Sequence, residues 1–308
     1  MKNADRQTRS HLMELFKEHG FNPRNHLGQN FLIDINIIEF IVREGQLTSY
    51  DVVLEVGTGT GGMTMFMIEE AAHVVSVEID RNMHMLASSL MEDADNVSLL
   101  NTDALRNKNN LSKDVLGEVQ KQLDAHPGSQ LKLVANLPYS VATPVVSNLV
   151  ATDLPWSRMI VTIQLELGER MAAAPGTSNY GALSVWLQAQ CRVKVIKRLA
   201  PSVFWPRPKV HSAVVRLSPD EERKSKIINR PFFQDFVRRL FHHRRKLLRT
   251  VLVGMYSKQL KKPEVDALLS LFPFETETRA EDLDVDQHIQ LANSFYAAIK
   301  TKEAVTED

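Results

Sequence analysis

The chain contains 308 residues, of which 44% are hydrophobic and 24% are charged, as is typical of a globular protein with one large domain or two smaller ones. Its single cysteine, Cys191, excludes an internal disulfide and favours a reducing, cytoplasmic location. The sequence predicts no membrane span, because it has no run of about 20 apolar residues, and no leader peptide, because acidic and basic residues are mixed near its start.

The charged residues are distributed unevenly, although the formal net charge is zero. Residues 191–249 contain 17 Lys and Arg against 4 Asp and Glu, whereas residues 32–131 contain 6 against 16. The zero total argues against a uniformly basic nucleic-acid-binding protein. The asymmetry predicts a basic surface for a polyanion, and the alternative is a set of solvated helix faces.

Residues 1–20 are predicted to form a polar, partly helical arm. After it, the amides of Gln29 and Asn30 stand just before an apolar helix predicted over 33–42. Two interpretations are open for this stretch: Asn30 contacts a ligand, or Asp34 simply caps the helix. The stretch by itself favours the cap.

A strand, a glycine-rich turn and a helix follow in that order, at 51–56, 57–62 and 63–70. This order is the geometry of a nucleotide-type ligand site, because glycines allow the backbone to approach a ligand closely. A glycine-rich turn alone is a weak signal. It is not a P-loop, since no Lys-Ser or Lys-Thr follows the glycines.

Two acidic residues sharpen the prediction of a ligand site. Glu78 ends a second strand, predicted over 74–79, and lies 21 residues after Gly57, the spacing at which an acid reaches ribose hydroxyls. Asp103 follows a third strand, predicted over 97–100, and we expect it beside an adenine at the same edge of the sheet.

The chemistry of these residues favours S-adenosylmethionine over a dinucleotide. Glu55, directly before the turn, would repel a pyrophosphate and suits a cationic or amino-acid ligand. S-adenosylmethionine carries a sulfonium, an ammonium, a ribose and an adenine, which Gly57, Glu78 and Asp103 match. An NAD-dependent oxidoreductase would need a hydride-transfer site that the sequence does not show.

The tetrapeptide Asn136-Leu137-Pro138-Tyr139 follows a short apolar strand at 131–135. It combines an amide that both donates and accepts, a stiff proline and an aromatic ring with a polar tip. Ligands of open α/β sheets bind at the carboxyl ends of the strands, where this tetrapeptide would lie. Taken alone, it fits an ordinary proline turn with a packed tyrosine equally well.

The rest of the chain predicts the end of the sheet and then a helical region. Strands over 193–199 and 212–217 close the sheet, and the segment between them, 201–210, suits either the stacking of unpaired bases or a proline-rich crossover. A polar linker at 218–227 marks a domain boundary. Beyond it we predict helices over 232–253, 263–272 and 285–300. The first of these carries a basic face, formed by Arg238, Arg239, Arg244, Arg245, Lys246 and Arg249.

Together these motifs resemble those of the ribosomal RNA adenine N6-dimethyltransferase family, and within it most closely the small-subunit rRNA dimethyladenosine transferases. The resemblance covers roughly residues 26–295. It rests on LGQNFL at 27–32, EVGTG at 55–59, EID at 78–80, DA at 103–104, NLPY at 136–139, NYGALSV at 179–185, PSVF at 201–204, PRPKV at 206–210, SAVVRL at 212–217 and RRK at 244–246.

The resemblance implies an α/β fold, with a Rossmann-like class I methyltransferase sheet over 1–218 and a small, all-helical, RNA-binding domain over 219–308. It implies an S-adenosylmethionine-dependent rRNA (adenine-N6,N6)-dimethyltransferase that acts on two adjacent adenosines near the 3′ end of small-subunit rRNA during ribosome biogenesis. The implied partner is the small ribosomal subunit with its rRNA. The protein would be a cytoplasmic monomer that needs neither a metal nor a membrane.

The resemblance also assigns residues to roles. Those implied to bind the cofactor are Asn30, Leu32 through its backbone, Gly57, Glu78, Asp103 and Asn136. In catalysis, the Asn136 side-chain oxygen and the backbone carbonyl of Leu137 or Pro138 would accept the hydrogens of the adenine amine. Tyr139 would stack on the extruded adenine, and Phe204 would hold its other face. The arm before His26 and the basic face over 238–249 would grip phosphates.

The chain departs from the usual family pattern at Leu165, His211 and His243, where relatives often have Lys, Asp and Gln. These positions concern contact with RNA rather than the cofactor site. Two alternatives remain: a non-catalytic ribosome-assembly or transcription factor, and a large-subunit rRNA adenine methylase that confers antibiotic resistance. The intact glycine-rich and NLPY motifs favour an enzyme, and the segment over 204–210 with the helical tail favours the small-subunit type.

Overall fold

A computed structural model describes residues 8–24 and 27–307 of the protein. The chain divides into two compact units, one made of Met1–Gly168 and Lys194–Pro219 and the other of Glu169–Val193 and Asp220–Asp308. The sequence predicts a single division after residue 218, close to the third crossing between the units, at 219/220. The structure also assigns 169–193 to the helical unit, because Trp186 of this stretch packs its ring against Phe233, with the ring centroids 6.3 Å apart.

A seven-stranded sheet forms the centre of the first unit. In spatial order its strands are β4 (Val97–Leu100), β3 (His73–Val77), β2 (Val52–Val56), β7 (Leu131–Asn136), β8 (Trp156–Gln164), β11 (Ser212–Pro219) and β9 (Cys191–Leu199). The first five are parallel, and β11 runs antiparallel to β8. The predicted α/β fold with a Rossmann-like sheet is confirmed, including the two strands that close it.

The strand order of the sheet reverses between β2 and β7. From β2 the chain continues outward to β3 and β4, and it then returns to the other side of β2 to form β7 and β8. This reversal is the topological switch point, at which the loops beyond the carboxyl ends of the strands open a crevice. Every residue of β2 and β3 is buried, as their almost continuous apolar sequences predict for a sheet covered on both faces.

Shorter elements complete the first unit. The small ladders are β1 (Phe31–Leu32) with β10 (Phe204–Trp205) and β5 (Leu105–Asn107) with β6 (Asn110–Leu111). The helices are α1 (Arg9–Glu18), α2 (Ile35–Gly45), α3 (Thr64–Ile68), α4 (Arg81–Leu90), α5 (Lys113–Ala125), α6 (Ala142–Ala151) and α7 (Leu165–Met171), the last of which crosses into the helical unit. The predicted cap of α2 is confirmed, since the Asp34 carboxylate accepts hydrogen bonds from the Asn36 and Ile37 N–H groups.

Helix α1 lies against the first unit rather than extending from it. Leu12 and Phe16 are buried and pack with Phe31, Met83 and Leu86 in one apolar cluster. The predicted helical character of the arm is confirmed for 9–18. Residues 1–7, 25 and 26, which belong to the predicted phosphate-gripping arm and to the start of the family resemblance, lie outside the described residues.

The second unit is helical. Its helices are α8 (Ala182–Gln188), α9 (Glu221–Lys224), α10 (Arg230–Phe241), α11 (Leu248–Met255), α12 (Lys262–Leu269) and α13 (Val285–Glu307). The prediction of a single helix over 232–253 is wrong. The first helix ends at Phe241. Leu247, just before α11, forms a bridge with Arg279, and the Leu248 N–H donates to the Thr278 carbonyl at 2.8 Å. The basic residues 244–246 therefore lie in a turn and not on a helix face.

Within the described ranges, 8–24 and 27–307, none of the helices has the length and apolar character needed to cross a membrane.

A buried ion pair lies at the amino ends of β2 and β7, opposite the crevice. Lys132 Nζ is 2.7 Å from Asp51 Oδ2, and the two side chains are only 9% and 7% exposed.

We expect Lys132→Met to lower the free energy of unfolding by about 3 kcal/mol, because it leaves the Asp51 carboxylate buried without its cation. Urea unfolding measures this. The matched control is Lys121→Met, which breaks the exposed pair with Glu118 and should change stability by less than about 1 kcal/mol. Equal losses in both variants would contradict the assignment.

Candidate active site

A cavity of about 260 Å³ opens at the carboxyl ends of β2, β3 and β7. It is lined by five parts of the chain: residues 27–31, the glycine turn, the end of β3, residues 102–104 and residues 136–141. Six of the residues singled out from the sequence line it, namely Asn30, Gly57, Glu78, Asp103, Asn136 and Tyr139. The fold thus brings into one cavity side chains that lie up to about a hundred residues apart in the sequence.

The glycine turn and the NLPY turn approach each other closely. Gly57 has φ +88°, a conformation that favours glycine, and a Cβ added to it would lie 3.0 Å from Pro138 Cδ. The Gly57 N–H donates to the Val77 carbonyl at 2.8 Å, which ties the turn to the end of β3. Only glycine fits between these neighbours, so the backbone of Gly57 forms part of the cavity wall.

Glu78 connects the end of β3 to the glycine turn. Its Oε2 accepts the Gly59 N–H at 2.8 Å, and its Oε1 accepts the Asp80 N–H at 2.8 Å. Burial raises the pKa of Glu78, and these backbone hydrogen bonds oppose the shift. Each carboxylate oxygen retains acceptor capacity, so Glu78 can accept a ligand hydroxyl while it holds the turn in place.

Asp103 borders the cavity from the loop after β4. Its Oδ1 accepts the Leu105 N–H at 2.9 Å, which shapes a tight local turn. The residue is exposed, and the turn uses one oxygen of the carboxylate. An acceptor is thereby held at the rim of the cavity.

Glu55 does not face the cavity, and the expectation that it meets a cationic ligand is wrong. The side chain is 1% exposed, and its Oε2 accepts hydrogen bonds from Thr64 Oγ1 at 2.6 Å and Ser76 Oγ at 2.5 Å. Side chains alternate between the two faces of a strand, and this one points to the face covered by α3. Glu55 is therefore a buried connection between β2, β3 and α3.

Asn136 ends β7 with its amide held in one orientation. Its Nδ2 donates to the Asn30 backbone carbonyl at 2.9 Å. The Leu137 N–H donates to the Thr162 carbonyl at 3.1 Å, and the Pro138 carbonyl accepts the Val141 N–H at 3.0 Å. Because the side-chain Nδ2 of Asn136 already donates to the protein, Oδ1 is the end of this amide that remains for a ligand donor.

Tyr139 presents its ring to the cavity from a fixed position. Its hydroxyl is 2.6 Å from Ser212 Oγ at the start of β11. Burial raises the pKa of Tyr139, so the phenol stays protonated at neutral pH. An aromatic ring anchored at its polar end is suited to stacking against a flat ligand.

Phe204 and Leu32 lie elsewhere. The Phe204 ring is 1% exposed and packs in the core, and Leu32 is its partner in the β1–β10 ladder. Neither residue is among the described residues that line the cavity. The role expected of Phe204, to hold the second face of a base, therefore stays a prediction. The backbone contact assigned to Leu32 stays a prediction.

Reasoning from the sequence missed part of the lining. Phe31 borders the cavity, with its ring 3.2 Å from the position that a Cβ on Gly59 would occupy. Residues 27–29 and Val141 also contribute. The sequence indicated these residues only by their proximity to Asn30 and Tyr139. An apolar residue beside a polar motif cannot be distinguished from a core residue by sequence alone.

The buried Glu55 should give the protein a measurable pH dependence. Burial raises the pKa of Glu55 from 4.5 to about 7. Between these values the folded protein keeps a proton that the unfolded chain has lost, so the free energy of unfolding falls as the pH rises through this window. Between pH 5 and pH 8 the free energy of unfolding of the wild type should fall by about 2–3 kcal/mol more than that of Glu55→Gln. Urea unfolding at the two pH values measures this difference.

The control for this experiment is Glu118→Gln. Hydrogen bonds, first that from Gln122, lower the pKa of Glu118, so its contribution to stability is lost as the pH falls and has the opposite sign. A pH dependence that is the same in wild type and Glu55→Gln would show that Glu55 is ionised in the folded protein.

Comparison with known proteins agrees with this geometry. The model of the family described as ribosomal RNA adenine dimethylase matches residues 20–296. The ribosomal RNA small subunit methyltransferase A of Clostridioides difficile is 34% identical over 289 residues, 94% of this chain and 96% of that protein. The protein of the same name from Pelotomaculum thermopropionicum is 36% identical over 289 residues, 92% of this chain and 95% of that protein.

Two solved structures share the fold. A dimethyladenosine transferase from Plasmodium falciparum aligns with a TM-score of 0.68 and 23% identity, over 86% of this chain and 97% of that one. The 23S rRNA methyltransferase ErmE aligns with a TM-score of 0.59 and 20% identity, over 86% and 99% of the two chains. With a family model that spans most of its length and relatives above 30% identity, the chain belongs to the ribosomal RNA adenine dimethylase family.

Proposed function

We propose that this protein transfers methyl groups from S-adenosylmethionine to N6 of two adjacent adenosines near the 3′ end of small-subunit rRNA, during ribosome biogenesis in the cytoplasm. The observation that carries the proposal is the single cavity lined by Gly57, Glu78, Asp103, Asn136 and Tyr139. The choice of the small subunit is supported by relatives named for it that match more than nine-tenths of the chain.

The residues at the β2–β4 side of the cavity fit the cofactor. S-adenosylmethionine supplies an activated methyl group on a sulfonium. Glu78, with acceptor capacity left on both oxygens, would bind the ribose hydroxyls, and the exposed Asp103 would bind the adenine. The Gly57 backbone, with no room for a side chain, would lie directly against the ligand. Asn30 and the Leu32 backbone would hold the methionine end.

Asn136 would bind the target amine. The exocyclic nitrogen of adenine is a poor nucleophile because its lone pair is delocalised into the ring. Acceptors that hold its hydrogens favour a pyramidal nitrogen with the lone pair aimed at the methyl group. Asn136 Oδ1 supplies one acceptor, because its Nδ2 is engaged with Asn30. We assign the second to the Leu137 carbonyl, since the Pro138 carbonyl already accepts the Val141 N–H.

Tyr139 would be the platform for the base. Stacking of a base on an aromatic ring contributes about 1–3 kcal/mol, which offsets part of the cost of unstacking the target from its neighbours. The bond to Ser212 holds the ring in place before the base arrives. Positioning of this kind is expected to supply much of the rate.

Of the six residues on the predicted basic face, most are engaged within the helical unit. Arg244 donates to Glu281 and to the Ser178 and Thr177 carbonyls, and Arg249 makes two bonds to Asp266. Arg238 binds Asp235, and Arg239 donates to the Met255 carbonyl. In the part of the chain that the structure describes, the Arg245 and Lys246 side chains have no such partner. We assign the phosphate contacts of this turn to these two residues.

The first test of the proposal is methyl transfer from labelled cofactor to undermethylated small subunits. Asn136→Ala should lower the rate about 100-fold, because the amine loses the acceptor that positions it. The control is Asn148→Ala on α6, whose amide also donates to a backbone carbonyl, that of Lys108, but lies outside the cavity lining. It should retain the wild-type rate.

The same assay separates the alternatives. Wild-type protein that binds small subunits without methylating them would identify a non-catalytic assembly factor. Preferential methylation of large subunits would refute the small-subunit assignment. An Asn136→Ala variant as fast as wild type would show that the amine is held by another group.

Binding of small-subunit rRNA between 50 and 200 mM salt tests the basic turn. Arg245→Gln and Lys246→Gln should each weaken binding and lower the slope of log K against log salt by about 1, since each removes one phosphate contact. Arg249→Gln is the control, because its guanidinium is bound to Asp266. A loss of slope in Arg249→Gln equal to that in Arg245→Gln would contradict the assignment.

A further inference from the structure

The side chain of Gln29 is engaged with the protein at both ends, although the residue lines the cavity. Its Oε1 accepts the Arg24 N–H at 2.7 Å, and its Nε2 donates to Asp80 Oδ2 at 2.9 Å. An amide whose oxygen and nitrogen both have protein partners is a poor candidate for a ligand contact. Gln29 is therefore placed to hold the chain in position beside the ligand.

Asp80 binds Gln29 through Oδ2, the carboxylate oxygen that does not cap α4. The carboxylate is 1% exposed, and its Oδ1 accepts the Asn82 N–H at 2.9 Å as the N-cap of α4. Its Oδ2 accepts from Gln29 Nε2 and lies 3.3 Å from Arg24 Nε. The Asp80 N–H donates to Glu78. The residue that accepts from Gln29 is therefore hydrogen-bonded to the acid that lines the cavity.

Residues 27–30 have a second attachment on the other side of the cavity. The Asn30 carbonyl accepts from Asn136 Nδ2 at 2.9 Å, and Asn30 Nδ2 donates to the Gly28 carbonyl at 3.0 Å. Four consecutive lining residues are thus held between the end of β3, through Asp80, and the end of β7, through Asn136. Neither attachment requires a ligand.

We propose that Gln29 and Asp80 are positioning residues for the cofactor. Their hydrogen bond, together with Arg24, holds residues 27–30 in the conformation that lines the cavity before the cofactor binds. A segment that is already ordered does not have to lose conformational freedom on binding, so the affinity is higher than for the same residues unattached. The inference rests on the proposed function for the identity of the ligand.

An exchange of partners tests the hydrogen bond itself. Asp80→Asn keeps the N-cap, because Asn is an equally good cap, but places an amide donor against the Gln29 donor. Gln29→Glu still accepts the Arg24 N–H but places a carboxylate against Asp80. The double variant, Gln29→Glu with Asp80→Asn, restores a donor opposite an acceptor and keeps the wild-type net charge.

Calorimetric titration with S-adenosylmethionine is the first measurement. Each single variant should bind about tenfold more weakly, and the double variant should return to within about twofold of the wild type. In steady-state assays the KM for S-adenosylmethionine should rise in the single variants while kcat at saturating cofactor stays unchanged. The two single changes alter the net charge in opposite directions, so a long-range effect of charge cannot weaken both.

Hydrogen exchange of residues 27–30 in the absence of cofactor is the second measurement. These amides should exchange faster in each single variant and regain protection in the double variant. The matched control is Gln120→Glu on α5, where the amide donates to Asp124 at 2.8 Å on an exposed surface. It should change neither the affinity nor the exchange at 27–30.

The outcomes distinguish this inference from the proposed function. Wild type that fails to bind S-adenosylmethionine refutes the cofactor assignment, and with it the ligand named here. Wild type that binds, together with single variants of unchanged affinity or a double variant that is not restored, refutes the positioning role and leaves the proposed function standing. A rise in exchange at 27–30 without a change in affinity refutes the link between segment order and binding.

Discussion

The close approach of two turns at the carboxyl edge of the sheet is the constraint on which the site depends. Gly57, after β2, and Pro138, after β7, come so near that a single added carbon would lie 3.0 Å from the proline ring. The two strands are neighbours in the sheet only because the chain reverses direction across it at this point. The cavity that results has one wall made of glycine backbone and another made of an amide and a phenol ring.

Two buried glutamates, 23 residues apart in sequence, support this edge in different ways. Glu78 faces the cavity and takes its hydrogen bonds from the backbone of the glycine turn and of Asp80. Glu55 lies in the core and takes its hydrogen bonds from the hydroxyls of Thr64 and Ser76. Burial raises the pKa of both carboxyl groups, but only Glu78 can exchange part of its surroundings for a ligand. The same residue type therefore lines the cavity in one place and forms a structural connection in the other.

The helical unit shows why a count of basic residues overstates the surface available to RNA. Arg244 and Arg249 each make two or more hydrogen bonds to other residues of the unit, and their charges are largely compensated there. The turn at 242–247 replaces the predicted helix, and it is this turn that allows Arg244 to reach the Thr177 and Ser178 carbonyls. A dense basic sequence here therefore supplies hydrogen bonds within the unit, and only part of it remains for the proposed contacts with RNA.

The sequence by itself determined the α/β fold, the positions of most of its strands along the chain and the positions of most of the cavity-lining polar residues. Buried parallel strands have almost continuous apolar sequences, so they can be located from the sequence. Polar residues that follow the carboxyl ends of such strands are candidates for a ligand site. Gly57, Glu78, Asp103, Asn136 and Tyr139 follow such runs, whereas Asn30 was assigned through the family resemblance, and all six line one cavity.

Only the tertiary structure decided which polar groups are available to a ligand and which are already used. Glu55 and Phe204 carry the same local signals as residues of a site, yet both are buried away from the cavity, since the face on which a side chain lies depends on what packs against its strand. Gln29 and Asp80, 51 residues apart, carry no signal that they are partners. Hydrogen bonds between distant residues depend on how the chain folds back on itself, and that information is absent from local sequence.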